Sequence, residues 1–264
     1  MQRAICLTVR SVALRSRGPW LREQGRGFQV REARVPIVPG AILFDLLSGG
    51  DKNWGRYPPY RELGYEAAKQ ASVDFALGSV GAGLGATTAN LKGGIGSASA
   101  KTRAGITVGA IAAANAAGSM TIGNTRHFWA APFEQNAEFG GQGWPSSLPA
   151  DALAFRSKGY PGENTTLAVV ATDAKLTKAQ AKRVAVMAQS GLSRAIHPVH
   201  TPLDGDVVFA AGIGTTSLPD PVFALSELGT LAAHVLARAI ARGVYEATAL
   251  SFAGAMPSWR DRFG

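Results

Sequence analysis

The sequence predicts an α+β layered protein, and three observations carry that prediction. Short β-branched or alanine-rich apolar runs alternate with stretches that put apolar residues on one helical face. A chain of 264 residues with 46% hydrophobic content is long enough to bury roughly 70–75% of its unfolded surface. Charged residues make up only 17% of it, far from the high-charge, low-hydrophobicity pattern of disorder.

The elements follow in chain order. Val35–Leu47, VPIVPGAILFDLL, is an apolar run broken by two prolines and reads as a buried strand. Pro58–Ala71 reads as a short amphipathic helix. Ser72–Thr102 is rich in glycine, and Ala104–Ala114 reads as a strand near the centre of a sheet. Gly123–Glu163 has little periodicity, and so long an irregular stretch inside a domain points to function or mobility. Thr166–Thr172, TLAVVAT, is a strand. Thr177 then caps a helix, with Gln180 completing a capping box. That helix is expected to run to about Ile196, with Val184, Met187, Gly191 and Leu192 inward. Val207–Ile213 is a further strand, and a long helix from about Ser226 puts Leu228, Leu231, Val235, Ala239 and Ile240 on one face. No internal repeat is visible.

The formal charge of +9 is concentrated at one end. Residues 1–34 hold eight arginines against two glutamates, and the other 230 residues carry 19 basic and 16 acidic groups. A basic arm can contact phosphates, but this one has no interleaved aromatics and sits on no nucleic-acid-binding motif, so no nucleic-acid partner is expected. Residues 1–18 lack the apolar core of a secretory signal. Ala104–Gly123 is uncharged but built of Ala, Gly, Ser and Thr, a poor match to a hydrocarbon core. No membrane partner is expected, and the location expected is cytoplasmic. The single Cys6 excludes a disulfide framework within the chain.

The glycine run Gly81-Ala-Gly83-Leu-Gly85-Ala86 fits G-x-G-x-x-A, but a dinucleotide fold needs an acid about twenty residues later. Between Asp74 and Glu134 the chain has none, so these glycines are read as sites of close backbone packing. His197 and His200 flank Pro198, which prevents the one-face helical presentation of a zinc motif, and both are read as turn residues. No metal and no cofactor are expected.

Asn164-Thr165-Thr166 admits three readings. It matches a glycosylation sequon, it can be a polar turn before a strand, or it can be a processing site where a long loop meets a buried strand. If the Asn164–Thr165 bond breaks, Thr165 acquires an α-amine beside its hydroxyl. Such an amine, with a pKa near 7.7–8.0, is suited to general-base work at neutral pH, and the residue becomes a self-contained nucleophile–base pair. Asp204-Gly205-Asp206 offers two carboxylates in a turn entering a strand, although D-G-D alone is usually a solvated turn.

Four ordered blocks then stand out: VPIVPGAILFDL, GAGLGATTANLKGGIGSAS, VGAIAAANAAGS, and the long block from Asn164 to Ala210. Together, over about Trp20 to Ile213, they closely resemble the L-aminopeptidase/D-esterase family, which includes β-peptidyl aminopeptidases and the nylon-oligomer hydrolase. The resemblance implies a four-layer αββα sandwich of the N-terminal-nucleophile kind that cuts itself at Asn164–Thr165 into residues 1–164 and 165–264. It implies Thr165 as nucleophile, Asn115 as oxyanion donor, Lys92 as a charge near the nucleophile, and Asp204 and Asp206 as the pair holding the new ammonium. The implied reaction is hydrolysis of a small peptide or amide through an acyl-threonine, by an oligomer of the cleaved pair. A transferase using the same intermediate and a non-catalytic remnant are the alternatives.

Two departures from the family pattern are visible. Some relatives carry a tyrosine where this chain has Phe44. Residues 1–19 also replace a longer family segment. Ala4-Ile5-Cys6-Leu7-Thr8 resembles its start, Val9–Leu14 diverges, and the match resumes at Trp20. The expectation is a truncated, locally frame-shifted N-terminus, with the sandwich incomplete there and residues 20–264 forming the enzyme domain.

Overall fold

In the computed structural model, residues 20–159 and 164–264 are described. The Arg-rich segment 1–19, with Cys6 and the expected frameshift, lies outside them, as do residues 160–163.

A four-stranded sheet organises these residues. Its strands are β3 (Ile95–Lys101), β4 (Thr107–Ala113), β5 (Leu167–Ala174) and β6 (Val207–Thr216), side by side in that order. A separate ribbon pairs β1 (Phe28–Val30) with β2 (Ala33–Val35), and α1 spans Tyr60–Lys69. β3–β4 and β4–β5 are antiparallel, whereas β5–β6 is parallel. A parallel pair requires a crossover, and α2 (Lys178–Ala188) with α3 (Ser190–Ser193) supplies it. Two more helices complete the chain, α4 (Phe223–Tyr245) and α5 (Trp259–Phe263).

Strand alternation separates the two faces of the sheet. Ala98, Val108, Ala110, Ala112, Ala168, Val170 and Ala174 point into the main core with Leu228, Val235, Leu236, Ala239 and Ile240 of α4. Small side chains on the sheet let the helix approach closely. A Cβ on Gly96 would fall on the Ala239 carbonyl oxygen, and one on Gly243 would lie 2.8 Å from Gly94 O. Of the glycines read as close-packing sites, a Cβ on Gly83 would meet the Gly78 carbonyl oxygen and one on Gly85 the Asp45 side chain, whereas Gly81 faces open space and is required instead by its positive φ of 49°. By length and composition α4 could cross a membrane, but here its apolar face covers β3 and β4. The opposite sheet face, with Ser97, Ser99, Gly109, Ile111, Val169 and Ala171, borders an open cavity of about 740 Å³. Among the described residues the layers present are thus one helical layer and one four-stranded sheet, with the β1–β2 ribbon apart from it.

Two elements differ from the sequence reading. Val35–Leu47 is a strand only at its first residue, where β2 ends. Pro36 and Pro39 remove the donors a ladder would need, and Ile37 and Leu47 are exposed while Leu43 is buried. The helix expected from Thr177 to Ile196 is interrupted after Ala188. Its capping box forms as predicted, with Gln180 N donating to Thr177 Oγ1 and Thr177 N donating to Gln180 Oε1. The irregular stretch after Gly123 packs into the main core, where Phe128 and Phe139 meet edge to face and Phe128 stacks on Trp259.

Candidate active site

Topology brings the separated sequence blocks to one end of the sheet. β5 and β6 are parallel, so Asn164–Thr166 and Asp204–Asp206 enter the sheet side by side. Leu167 is in register with Val207, and Asn164 forms a bridge with Asp204. β4 is antiparallel to β5, so it ends where β5 begins, with Ala113 opposite Leu167. Asn115 follows directly. β3 starts at that same end, with Ile95 opposite Ala113, and Lys92 lies just before it.

The Asn164–Thr165 peptide is buried and held on both sides. Thr165 N donates to Asn115 O (2.8 Å), and Gly205 N donates to Asn164 O (2.8 Å). The Thr165 hydroxyl donates to that same Asn164 carbonyl oxygen at 2.5 Å. The carbonyl of the candidate scissile bond thus receives both a backbone N–H and the neighbouring hydroxyl. Close approach is possible because residue 205 is glycine, as a Cβ there would sit 3.0 Å from Thr165 Oγ1.

Three buried polar atoms around this bond have no hydrogen-bond partner: Asn164 Oδ1, Thr166 Oγ1 and Asp206 Oδ2. Native proteins pair nearly all such atoms, so a cluster of orphans calls for a functional explanation. The Asp206 side chain is 5% exposed. Its Oδ1 accepts from Thr166 N at 2.8 Å, and its Oδ2 lies 3.3 Å from His200 Nδ1, within ion-pair range but outside hydrogen-bond geometry. Burial pushes the Asp206 carboxyl up to about 6, the charge of Asp204 adds to the rise, and the Thr166 N–H and His200 oppose it.

Asp204 does different work. Its Oδ1 accepts from Ala117 N (3.0 Å), and its Oδ2 accepts from Thr201 N (3.1 Å) and Thr201 Oγ1 (2.8 Å). These bonds lock the turn and tie it to the residues after β4. The D-G-D turn therefore combines a structural carboxylate with a buried, unevenly bonded one, and neither matches the solvated turn that such a tripeptide usually makes.

Asn115 and Lys92 also find definite partners. Asn115 Oδ1 accepts from Thr87 N (3.0 Å) and Lys158 Nζ (2.8 Å), and Nδ2 donates to Phe44 O (3.1 Å). The contact with Phe44 uses its backbone, so the absent tyrosine hydroxyl does not affect it. Lys92 Nζ donates to the carbonyls of Gly83 (2.7 Å), Ala86 (2.8 Å) and Gly93 (2.7 Å). Burial pulls this ammonium down to about 8, opposed by the charge of Asp45. The direct bonds of Lys92 therefore tie the glycine-rich loop together.

Lys92 and Lys158 border a cavity of about 210 Å³ whose apolar wall includes Phe44, Leu250, Phe252 and Met256. The sequence reading missed Lys158, Thr87 and Gly205. It took His200 as a turn residue, and nothing in the sequence connected that residue to Asp206. His197 does behave as a connecting residue, exchanging backbone bonds with Ser119 and packing on Trp129. Among the described residues no group of three or more His, Cys, Asp or Glu is placed to hold a metal.

Comparison with known proteins places this chain in a family. Residues 2–256 match the model of peptidase family S58. An uncharacterized aminopeptidase of Mycobacterium tuberculosis is 41% identical over 258 residues, covering 92% of this chain and 72% of that protein. A counterpart in Mycobacterium leprae is 39% identical over 247 residues, covering 88% and 67%. Among solved structures, a Burkholderia sp. beta-aminopeptidase aligns with a TM-score of 0.61 at 24% identity, over 93% of this chain and 67% of that one. The L-aminopeptidase D-Ala-esterase/amidase of Ochrobactrum anthropi, described as a variant of the Ntn hydrolase fold, aligns with a TM-score of 0.61 at 19% identity over 95% and 68%. The two likenesses establish an N-terminal-nucleophile hydrolase fold, and the family match together with the mycobacterial identity shows that the chain belongs to peptidase family S58.

Proposed function

We propose that this peptide- or amide-bond hydrolase is self-processing and uses Thr165 as its nucleophile. One observation carries the reading: the Thr165 hydroxyl and the Gly205 N–H converge on the carbonyl oxygen of Asn164, beside three orphaned buried acceptors. In the first reaction Thr165 Oγ attacks the Asn164 carbonyl carbon while the Gly205 N–H stabilises the oxyanion. The carbon–nitrogen bond breaks, an ester forms to Thr165 Oγ, and the hydroxyl proton passes to the Thr165 nitrogen. Water then hydrolyses the ester, leaving a carboxylate on Asn164 and restoring the hydroxyl.

The freed amine protonates to an ammonium. Asn115 O already accepts from this nitrogen, and Asp206, whose Oδ1 accepts from the adjacent Thr166 N and whose Oδ2 faces His200 Nδ1 at 3.3 Å, supplies the anionic charge. In its neutral form the amine serves as base when Thr165 Oγ attacks a small peptide or amide. The proton passes to the leaving amine, and water releases the acyl group. Asn115 and Gly205 are the proposed oxyanion donors, and Asp204 holds the turn. The fragments stay together because β4, in residues 1–164, pairs with β5, in residues 165–264, over six residue pairs.

Intact mass and N-terminal sequencing of the wild type and Thr165→Ala test the reading. The expected wild type yields a second chain beginning Thr-Thr-Leu-Ala-Val-Val, absent from the variant. An uncleaved 27.4 kDa wild-type chain would refute it in favour of a non-catalytic remnant.

A further inference from the structure

Lys158 lies on the irregular segment six residues before the candidate scissile bond. Its ammonium donates to Thr87 O (2.6 Å), Thr87 Oγ1 (2.7 Å) and Asn115 Oδ1 (2.8 Å). Its backbone is held as firmly. Lys158 N donates to Ala117 O (3.0 Å), and Lys158 O accepts from Asn164 Nδ2 (3.2 Å). One residue therefore touches the proposed oxyanion donor with its side chain and the residue donating the scissile carbonyl with its backbone.

We infer that Lys158 is a positioning residue for the proposed reaction, fixing which side of the Asn115 amide carries the NH2 group that the proposed function uses as an oxyanion donor. The inference rests on the function proposed above. An asparagine amide can rotate to exchange its oxygen and nitrogen. Here the two acceptor directions of Oδ1 are taken by Lys158 Nζ and Thr87 N, so a flipped amide would face two donors with its own NH2. Nδ2 is thereby directed to the opposite side, where one N–H meets Phe44 O. A charge-assisted bond to the amide oxygen is also roughly twice as strong as a neutral one, and it polarises the amide so that the NH2 becomes a better donor. Lys158 acts through Asn115 and needs no contact with the reacting atoms.

The test compares cleavage rates of wild type, Lys158→Met, Lys158→Arg, Asn115→Ala and the double variant Lys158→Met/Asn115→Ala, following the 165–264 fragment by mass. Losing an oxyanion donor costs about 10²–10³ in rate, so losing its positioning residue is expected to cost roughly 10- to 100-fold. Lys158→Arg, which keeps the charge, should recover part of this. The double variant should be no slower than Asn115→Ala alone, an outcome that a general loosening of the segment would not give. Wild-type cleavage by Lys158→Met, or multiplying effects in the double variant, would overturn the inference while leaving the nucleophile intact. A wild-type chain that stays whole would overturn the function and the inference together. Should Lys158→Met not fold, Lys158→Gln reads the same quantity: slowed cleavage supports the role and an unchanged rate refutes it.

Discussion

Replacing Gly205 by alanine probes the site at its narrowest point. The new Cβ would stand 3.0 Å from Thr165 Oγ1 and 3.6 Å from Asn164 O. Ordinary contact begins at 3.4 Å, so the hydroxyl must retreat by about 0.4 Å. It cannot move closer to Asn164 O, to which it already donates at 2.5 Å. A misplacement of about 1 Å costs on the order of 10²-fold in rate, or about 2.7 kcal/mol. Scaled linearly, 0.4 Å corresponds to about 1 kcal/mol and a roughly six-fold slower cleavage. Residue 205 is exposed and its N–H is retained, so global stability should stay within about 0.5 kcal/mol. The assay is the time course of the 165–264 fragment in freshly purified protein, with a thermal melt of the uncleaved Thr165→Ala background carrying the same change. Cleavage at the wild-type rate would refute the placement of the attacking hydroxyl. A melting temperature many degrees lower would show that the effect is not local.

Other outcomes follow from the same geometry. Asp206 must be ionised to hold the new ammonium, which itself favours the charged form, so amide hydrolysis by the cleaved pair should show an acid limb at or below pH 6, and an acid limb well above that value would contradict the assignment. The sign for stability is opposite. The folded carboxyl sits above its ordinary 3.8, so the contribution of Asp206 is fullest below about pH 4 and is lost as pH rises through 6. Asp206→Asn should therefore flatten that stability trend, which melts at several pH values would record. Lys92→Met would leave the Gly83, Ala86 and Gly93 carbonyls without their donor, at about 1–3 kcal/mol for each buried group. Urea unfolding should show a loss of at least about 3 kcal/mol, and a fully stable but slow variant would instead place Lys92 among the reacting groups. Gly96→Val would force side-chain atoms into the backbone of α4, so a destabilisation of about 1–3 kcal/mol or more is expected, and an unchanged melt would show that the seam is loose.

Much of the architecture was legible in the chain. β4, β5, α2 and α4 lie where periodicity and the Thr177 capping box put them, because helix and strand patterns are local properties of sequence. The failed strand at Val35–Leu47 shows the limit of apolar content. Its side chains suit a strand, but two prolines and exposed Ile37 and Leu47 make an irregular segment instead. The resemblance of ordered blocks named Thr165, Asn115, Lys92, Asp204 and Asp206, and all flank one end of the sheet.

The sequence alone determined the local helix and strand patterns of β4, β5, α2 and α4, and it marked Asn164–Thr165 as the junction of a long loop and a buried strand. It could not distinguish two aspartates separated by one glycine. Only the parallel register of β5 with β6 buries Asp206 beside Thr166 while turning Asp204 to the backbone of Ala117 and Thr201. Likewise Lys158 is an ordinary lysine in an irregular loop until folding sets it against Asn115, 43 residues away. Such contacts join residues remote in sequence, and their geometry is fixed by sheet register and helix packing, which no local pattern encodes.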